Sequence, residues 1–297
     1  METILSRDLP EKKSRWDRQP NPGRLILQAR DRQIIIGIYS YRLLSSDQVQ
    51  GLFGFHCLRR VNTRLRQLYD HGYLSRSFLP TIRGSGKAVY TLGPQGAKII
   101  AEELGLDLEA IKRKMKGVGQ LKEFFLSHNL DLNRVRINLS QAILRKPGLK
   151  LETWINDHDC EQTYRVIERG QEVSRRFRPD GYFRFWQDKR LHSFFVELDR
   201  STMSSERFQN KVHTYLEFAR LGFYERRFGV KSFRVLVTVP SVPRLNNLKR
   251  AVEEVTSGIF WFTTIEQTTR EKVLCPIWQR AGQSGLYSLL GGGEFST

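Results

Sequence analysis

In the first third of the chain, apolar residues recur at steps of three and four positions, the spacing of amphipathic helices. One such group begins at Leu25, a second follows Ser45 and ends at Gly54, and a third runs from Leu58 to Tyr69. Ser45 or Ser46 has the side chain of a helix N-cap, with a glutamine three positions after Ser45 as in a capping box, and a glycine commonly ends a helix. The pattern therefore predicts three consecutive helices.

Two extended runs follow these helices, at residues 73–79 and 87–92, and they flank a glycine-containing segment with Arg83 and Lys87. Such runs around a short turn predict a β-hairpin. The outward face of the third helix is polar and cationic, with Arg59, Arg60, Thr63, Arg64 and Arg66. Helices followed by a basic hairpin predict a winged helix-turn-helix, with the third helix in the DNA major groove and the hairpin on a neighbouring phosphate or the minor groove. Two alternatives stay open, a cationic face that contacts only solvent and a winged helix that binds protein.

The rest of the chain alternates between helical and extended patterns. The expected elements are a helix at 121–145, strands at 149–156, 162–168, 175–187 and 191–199, a helix at 204–221, a strand at 233–239, a helix at 244–255 and a strand at 261–265. This order predicts an α/β (α+β) fold class with a mixed sheet in the second part of the chain.

Charge narrows the choice of partner. The chain has 49 Lys and Arg residues against 31 Asp and Glu residues, a net charge of +18. Such a field attracts polyanions, and neutralised phosphates supply most non-specific affinity for DNA. No apolar stretch is long enough to span a bilayer, and three widely spaced cysteines suggest reduced thiols rather than disulfides. We therefore expect double-stranded DNA as the partner, no membrane, and a cytoplasmic, nucleoid-associated location in a bacterium.

Three carboxylates form the most specific chemical pattern. Asp180 follows an Arg-Pro pair in one extended run, and Glu197 and Asp199 stand two positions apart in the next. Residues two apart in a strand project from the same face, and a hairpin between the two runs would bring Asp180 beside Glu197. Three converging carboxylates could hold Mg²⁺ and activate water against a phosphodiester. The alternative is a network of solvated ion pairs between these carboxylates and neighbouring arginines, which contributes little to the stability of the fold.

This arrangement resembles the PD-(D/E)xK phosphodiesterase fold over roughly residues 121–240. By that resemblance Asp180 and Glu197 match the family's two acidic positions, Asp199 stands where a lysine is usual, and Lys211 on the following helix could replace it. The resemblance implies Asp180, Glu197, Asp199 and Lys211 as catalytic residues, with the first three as Mg²⁺ ligands. It also implies a restriction-endonuclease-like mixed-sheet domain. We predict a flexible basic arm at 1–24, the winged helix-turn-helix and linker at 25–118, the nuclease-like domain at 119–279, and a disordered tail at 280–297.

A winged helix, then a strand with Arg-Pro-Asp, a strand with Glu-Leu-Asp-Arg and a helix with Glu206 and Lys211, follow each other along the chain. Over about residues 30–255 this order resembles the replication-relaxation family of plasmids, phages and integrated mobile elements. The resemblance implies a DNA-binding protein of a mobile element that acts in replication, transfer or its regulation, with the nuclease-like domain as a second platform. The first alternative is an Mg²⁺-dependent site-directed endonuclease or nickase with a non-standard active site, and the second is a transcriptional autoregulator. A protein of the element's replication or transposition machinery, and a second copy of the chain, are further expected partners.

Overall fold

The computed structural model describes residues 17–81, 86–118, 122–168 and 170–291. The chain divides into two compact units, Met1–Leu130 and Asp131–Thr297. The sequence places the domain boundary after residue 118, whereas the units divide within a long helix. Both units combine helices and strands, so the protein has the α+β fold class expected from its sequence.

The first unit is built from helices and one small sheet. Its helices are α1 (Ala29–Tyr41), α2 (Ser46–Phe53), α3 (Leu58–Asp70), α4 (Pro94–Leu104), α5 (Leu108–Met115) and the beginning of α6 (Glu123–Arg145). Its strands are β1 (Leu43–Ser45), β2 (Leu74–Phe78) and β3 (Ala88–Leu92). The strands form an antiparallel sheet in the order β1-β3-β2.

Local sequence determines where the short helix α2 begins and ends. The Ser45 side chain and the Gln48 side chain form a reciprocal capping box, which satisfies backbone N–H groups at the helix start. Gly54 ends the helix with a φ of 66°, a left-handed conformation that costs little without a Cβ atom. On α3, Val61, Leu65 and Leu68 are fully buried, as their spacing predicts. The three predicted helices and the hairpin strands are therefore present.

The segment before α1 contacts the first unit from residue 17 onwards. The backbone N–H of Gln19 donates to Asp70 at 3.1 Å, and the Arg18 guanidinium donates to the Leu74 carbonyl at 2.9 Å. The sequence predicts a flexible arm over residues 1–24. Residues 17–19 instead lie against α3 and β2, and residues 1–16 lie outside the described residues.

The second unit has a six-stranded mixed sheet and a separate two-stranded hairpin. Its strands are β4 (Leu149–Asn156), β5 (Gln162–Glu168), β6 (Gln171–Phe177), β7 (Gly181–Gln187), β8 (Arg190–Leu198), β9 (Arg234–Val239), β10 (Phe260–Thr264) and β11 (Gln279–Arg280). Its helices are the rest of α6, then α7 (Asp157–Cys160), α8 (Ser205–Arg220), α9 (Phe223–Phe228) and α10 (Val242–Glu253). The large sheet has the order β11-β10-β9-β8-β7-β4, and β5 pairs only with β6.

Both faces of the large sheet are covered by apolar side chains. On one face the sheet packs against α8, α9 and α10, with Phe195, Tyr215 and Phe218 among the buried residues. On the other face it packs against α6 and the segment after β10, with Val196 and Trp278 buried there. Because β8 and β9 are parallel and central, side chains at their ends lie at the two edges of this layered unit.

Two expectations about this part of the chain are wrong. The predicted strand 175–187 is two strands in different sheets, separated at Arg178–Asp180, where Pro179 lacks a backbone donor for a ladder. The expected tail from residue 280 is packed as far as Gly291, since β11 pairs with β10 and Leu289 is fully buried.

None of the described helices combines the length and the apolar character required to cross a membrane.

Candidate nucleic-acid interface and carboxylate cluster

The outward face of α3 carries two arginines whose guanidinium groups are available. Since Val61 and Leu65 point into the core, Arg59 and Arg60 face outward, and both are exposed. Across the described ranges, neither guanidinium has an acidic partner. Unpaired arginines in the first turns of such a helix are the groups that can reach base edges or phosphates.

The side chain of Arg64, on the same helix, is held by hydrogen bonds within the protein. Its Nε donates to Oδ1 of Asp31 at 2.7 Å, and its Nη2 also donates to the second oxygen of this buried carboxylate. Further donors reach the Ile26 carbonyl at 3.0 Å and the Gln67 side chain at 2.9 Å. The hydrogen bonds that Arg64 donates to Asp31 raise the pKa of its guanidinium group above the ordinary value. Arg64 therefore joins α3 to α1 in this structure.

The other predicted α3 residues also make internal contacts. The Thr63 hydroxyl donates to the Arg59 carbonyl at 3.0 Å. Arg66 donates to Asp70 at 2.8 Å and to the Asp17 carbonyl at 2.8 Å. The charge available on this face thus comes chiefly from Arg59 and Arg60.

An open groove of about 470 Å³ runs along this face of α3. Arg30 contributes from α1, and its guanidinium lies 4.7 Å from the centre of the Phe55 ring. Arg59 and Arg60 line the same groove from α3. The groove therefore combines cationic side chains with an aromatic wall.

Lys87 is a described cation immediately before the second hairpin strand. Lys87 donates to Asp47, at the start of α2, at 3.0 Å. Partial burial opposes the effect, but the hydrogen bond from Lys87 lowers the pKa of Asp47. Arg83 lies within residues 82–85, outside the described residues.

In the second unit, the antiparallel pairing of β7 and β8 brings two of the predicted carboxylates together. Gly181 pairs with Val196, so Asp180 lies beside Glu197, as the hairpin argument predicts. Oδ2 of Asp180 accepts a hydrogen bond from the backbone N–H of Leu198 at 2.8 Å. Asp180 is therefore tied to the end of β8.

Glu197 is 2% exposed, and two side chains from α8 contact it. Lys211 donates to its Oε2, and the Tyr215 hydroxyl donates to its Oε1 at 2.5 Å. Residues four apart on a helix share a face, so both donors point at the same carboxylate. We name Asp180, Glu197, Lys211 and Tyr215 the carboxylate–lysine cluster.

Burial sets the protonation of this cluster. Removal from water raises the pKa of Glu197 to about 7, and the nearby Asp180 adds to the rise, against the lowering effect of Lys211. The carboxylates Glu197 and Asp180 raise the pKa of Lys211 despite its burial. Two carboxylates face one ammonium, so at neutral pH Glu197 exchanges a proton while Lys211 keeps its charge.

Asp199 does not join this cluster. Both of its oxygens accept hydrogen bonds from Arg244 on α10, at 2.6 and 2.8 Å, and the backbone N–H of Ser201 donates to it at 2.9 Å. The hydrogen bonds to Asp199 raise the pKa of Arg244. Asp199 and Arg244 are both largely buried, so the pair fixes the end of β8 to the start of α10.

The three predicted Mg²⁺ ligands do not form an open metal site as they stand. Glu197 accepts from Lys211 and Tyr215, both oxygens of Asp199 accept from Arg244, and one oxygen of Asp180 accepts from the backbone. Nowhere in the described ranges do three or more His, Cys, Asp or Glu side chains form a group suited to a metal ion. A cation would have to displace Lys211 or Arg244 to gain these ligands.

Sequence reasoning found Lys211 but missed Tyr215 and Arg244. The signal for Tyr215 was its position four residues after Lys211 on a predicted helix. The signal for Arg244 was weaker, because an arginine in the first turn of a helix is unfavourable beside the helix dipole unless a carboxylate compensates it.

The comparisons with known proteins place the chain in a family. The model of the replication-relaxation family matches residues 37–232, which include α3, the hairpin, Asp180, Glu197, Asp199 and Lys211. No curated protein and no solved structure matches the chain. Since the family model covers about two thirds of the sequence, the chain belongs to the replication-relaxation family.

Proposed function

We propose that this chain is a DNA-binding protein of a mobile element that acts in replication or its regulation, with the first unit as a winged helix-turn-helix. The observation that carries the proposal is the pair of exposed, unpaired arginines, Arg59 and Arg60, on the groove-lining face of α3. A helix that presents such side chains after a short capped helix is suited to the major groove.

Three further observations support this proposal. The strand order β1-β3-β2 sets a two-stranded hairpin beside the helices, where a wing is expected. The net charge of +18 favours a polyanionic partner. The family name refers to replication, and duplex DNA is the substrate on which replication proteins act.

The test is binding of the full chain to duplex DNA in EDTA. Wild type is incubated with a random-sequence duplex library, and the enriched sequences are compared with random duplex by fluorescence anisotropy. We expect Arg60→Ala to weaken binding to the enriched duplex by about 1–3 kcal/mol, with a smaller loss on random duplex, because a base-contacting arginine supplies discrimination. Arg59→Ala tests its neighbour in the same way.

Lys98→Ala is the matched control, because Lys98 is an exposed cation on α4 in the same unit. It removes the same charge without touching the α3 face. Equal losses for Lys98→Ala and Arg60→Ala on both duplexes would remove α3 as the recognition helix, and no binding by wild type would reject the proposal.

For the second unit we propose a platform that contributes to binding without its own chemistry. The carboxylate–lysine cluster supports this because Lys211 forms an internal ion pair with Glu197. A partner from the replication or transposition machinery, or a second copy of the chain, would bind such a platform.

The second candidate function is an Mg²⁺-dependent endonuclease or nickase. The convergence of Asp180, Glu197 and Lys211 favours it, because two acids and a lysine are the residue types that the nuclease-like resemblance implies. The pKa of Glu197, near 7, also lies in the range of a general base. In this case Mg²⁺ would supply the stabilisation of charge on the phosphate.

Supercoiled plasmid with Mg²⁺ or Mn²⁺ separates the two candidates. The platform predicts no nicking and no metal-dependent rise in melting temperature, together with a lower melting temperature for Asp180→Ala, which leaves the Leu198 N–H without its acceptor. The enzyme predicts nicking that Asp180→Ala and Glu197→Ala abolish, and a metal-induced rise in melting temperature that Asp180→Ala removes. Loss of cleavage in Lys211→Ala with metal binding intact would assign Lys211 to the chemistry.

A further inference from the structure

Three arginines meet at the other end of the large sheet from the carboxylate–lysine cluster. Arg190 begins β8, Arg234 begins β9, and Arg280 ends β11. In the register of the sheet, Arg234 lies beside Phe194, and Arg280 lies beside Trp261. We name these residues the arginine cluster.

Aromatic rings hold two of the guanidinium groups in place. The Arg234 guanidinium lies 4.9 Å from the centre of the Trp261 ring and 5.5 Å from that of Phe194. The Arg280 guanidinium lies 5.3 Å from the centre of the same Trp261 ring and 4.8 Å from that of Tyr287. The tryptophan therefore brings two cations to one place.

Throughout the described residues, none of the three guanidinium groups has an acidic partner. Burial, followed by the charges of Arg190 and Arg280, lowers the pKa of Arg234. Burial and the nearby Arg234 and Arg190 lower the pKa of His192 to about 4, so this imidazole is neutral at physiological pH. The folded protein thus concentrates positive charge at a partly buried position.

Two buried polar atoms of this region also have no hydrogen-bond partner among the described residues. They are Nε of Arg280 and Nε2 of His192. Buried polar atoms are almost always satisfied in folded proteins, and an unsatisfied one is costly. Arg190 also lines an open groove of about 560 Å³, together with Lys189 and Asp188.

Clustered guanidinium groups that form no ion pair with a carboxylate are suited to one class of ligand. A phosphate group can accept several charge-assisted hydrogen bonds from arginines, and it would neutralise like charges that otherwise repel each other. Aromatic rings compensate a cation only in part. We infer that Arg190, Arg234 and Arg280 form a binding site for a phosphate group of the nucleic-acid backbone. The assignment to nucleic acid rests on the proposed DNA-binding function, whereas the phosphate site does not.

The first test is thermal unfolding of the full chain with inorganic phosphate, at ionic strength held constant with chloride. We expect the wild-type melting temperature to rise with phosphate concentration, because a ligand bound only by the native state stabilises it. Arg234→Met keeps the side-chain volume and removes the charge. It should abolish the phosphate effect and should melt at or above the wild-type temperature without phosphate, since one of three repelling cations is gone.

Arg280→Met is the second variant, on a two-residue edge strand where a fold defect is less severe. Arg220→Met is the matched control, because Arg220 is an exposed arginine of α8 on the opposite face of the sheet. The control should keep the phosphate response. If the phosphate response persists in both Arg234→Met and Arg280→Met, or if wild type shows none, the site is rejected.

The second test measures the salt dependence of binding to random duplex DNA. If the phosphate belongs to DNA, combining Arg234→Met with Arg280→Met should reduce the slope of log affinity against log salt by about one to two charges. An unchanged slope, with the phosphate response lost, would overturn the assignment to nucleic acid and leave a site for a free phosphate-bearing ligand. Failure of wild type to bind duplex at all would reject the proposed function, while the first test would still decide on the phosphate site.

Discussion

Glu197→Gln tests the electrostatics of the carboxylate–lysine cluster most directly. The substitution keeps the shape of the side chain and removes its ability to ionise. In the folded protein, burial and the neighbouring Asp180 raise the pKa of Glu197 from its ordinary value of 4.5 to about 7. Lys211 keeps its charge through this range, because Glu197 and Asp180 raise its pKa. His192 also titrates in this window, because its pKa is lowered to about 4, but it is present in both proteins. A difference in pH dependence between wild type and Glu197→Gln therefore belongs to Glu197.

The sign follows from proton binding. Between pH 4.5 and 7 the folded chain retains a proton on Glu197 that the unfolded chain has lost, so folding is favoured most at low pH and less as pH rises through 7. Each pKa unit corresponds to about 1.4 kcal/mol, so Glu197 should remove about 3 kcal/mol from the free energy of unfolding between pH 4.5 and 8. Glutamine cannot ionise, so the variant should lack this loss.

Urea denaturation at pH 5, 6, 7 and 8, followed by circular dichroism at constant ionic strength, measures the effect. We expect Glu197→Gln to be close to wild type at pH 5 and more stable than wild type at pH 8. Glu206→Gln, at an exposed position of α8, controls for the loss of a carboxylate as such. If the wild-type and Glu197→Gln stabilities stay parallel from pH 5 to 8, burial does not govern the protonation of Glu197 and the reasoning fails.

Two further predictions concern the first unit. Arg64→Ala should lower the free energy of unfolding by about 3 kcal/mol, because Asp31 would stay buried without its partner, whereas Arg60→Ala should change it by less than about 0.5 kcal/mol; urea denaturation of both variants measures this, and equal effects would contradict it. Lys87→Ala should reduce the salt dependence of DNA binding by about one charge, since Lys87 is exposed and its pair with Asp47 contributes little, and an unchanged slope would remove the hairpin from the interface.

Local signals in the sequence predicted the helices and strands well. They did not reveal which elements pair across long distances in the sequence. The capping box at Ser45 and the glycine at position 54 fixed α2, since both act within a few residues. The strand predicted over residues 175–187 failed because the alternation of side chains does not reveal that β6 pairs with β5 outside the large sheet. An apolar side chain of a helix, such as Phe124 on α6, can be 42% exposed, because helical spacing defines a face but not what covers it.

The same contrast between local and long-range information applies to the charged residues of the candidate site. The position of Asp180 beside Glu197 could be predicted, because two strands joined by a short turn have few possible registers. The cationic face of α3 was visible too, but the sequence could not separate Arg60 from Arg64. The acid that binds Arg64 is on another helix, and nothing near Arg64 in the sequence indicates it.

Whether an arginine is available to bind a phosphate therefore depends on whether it already forms an ion pair with a carboxylate of the protein. Arg64 and Arg244 each hold a buried aspartate and so stabilise the fold. Arg60 and Arg234 lack an acidic partner within the described part of the chain, although the net charge alone does not distinguish them from the first two. Ion pairs inside the protein bind some of the 49 Lys and Arg side chains without changing the net charge of +18, so the cations left without an acidic partner determine where that charge is available. At those positions, on α3 and at the start of β9, we expect removal of the arginine to weaken binding to a phosphate backbone the most.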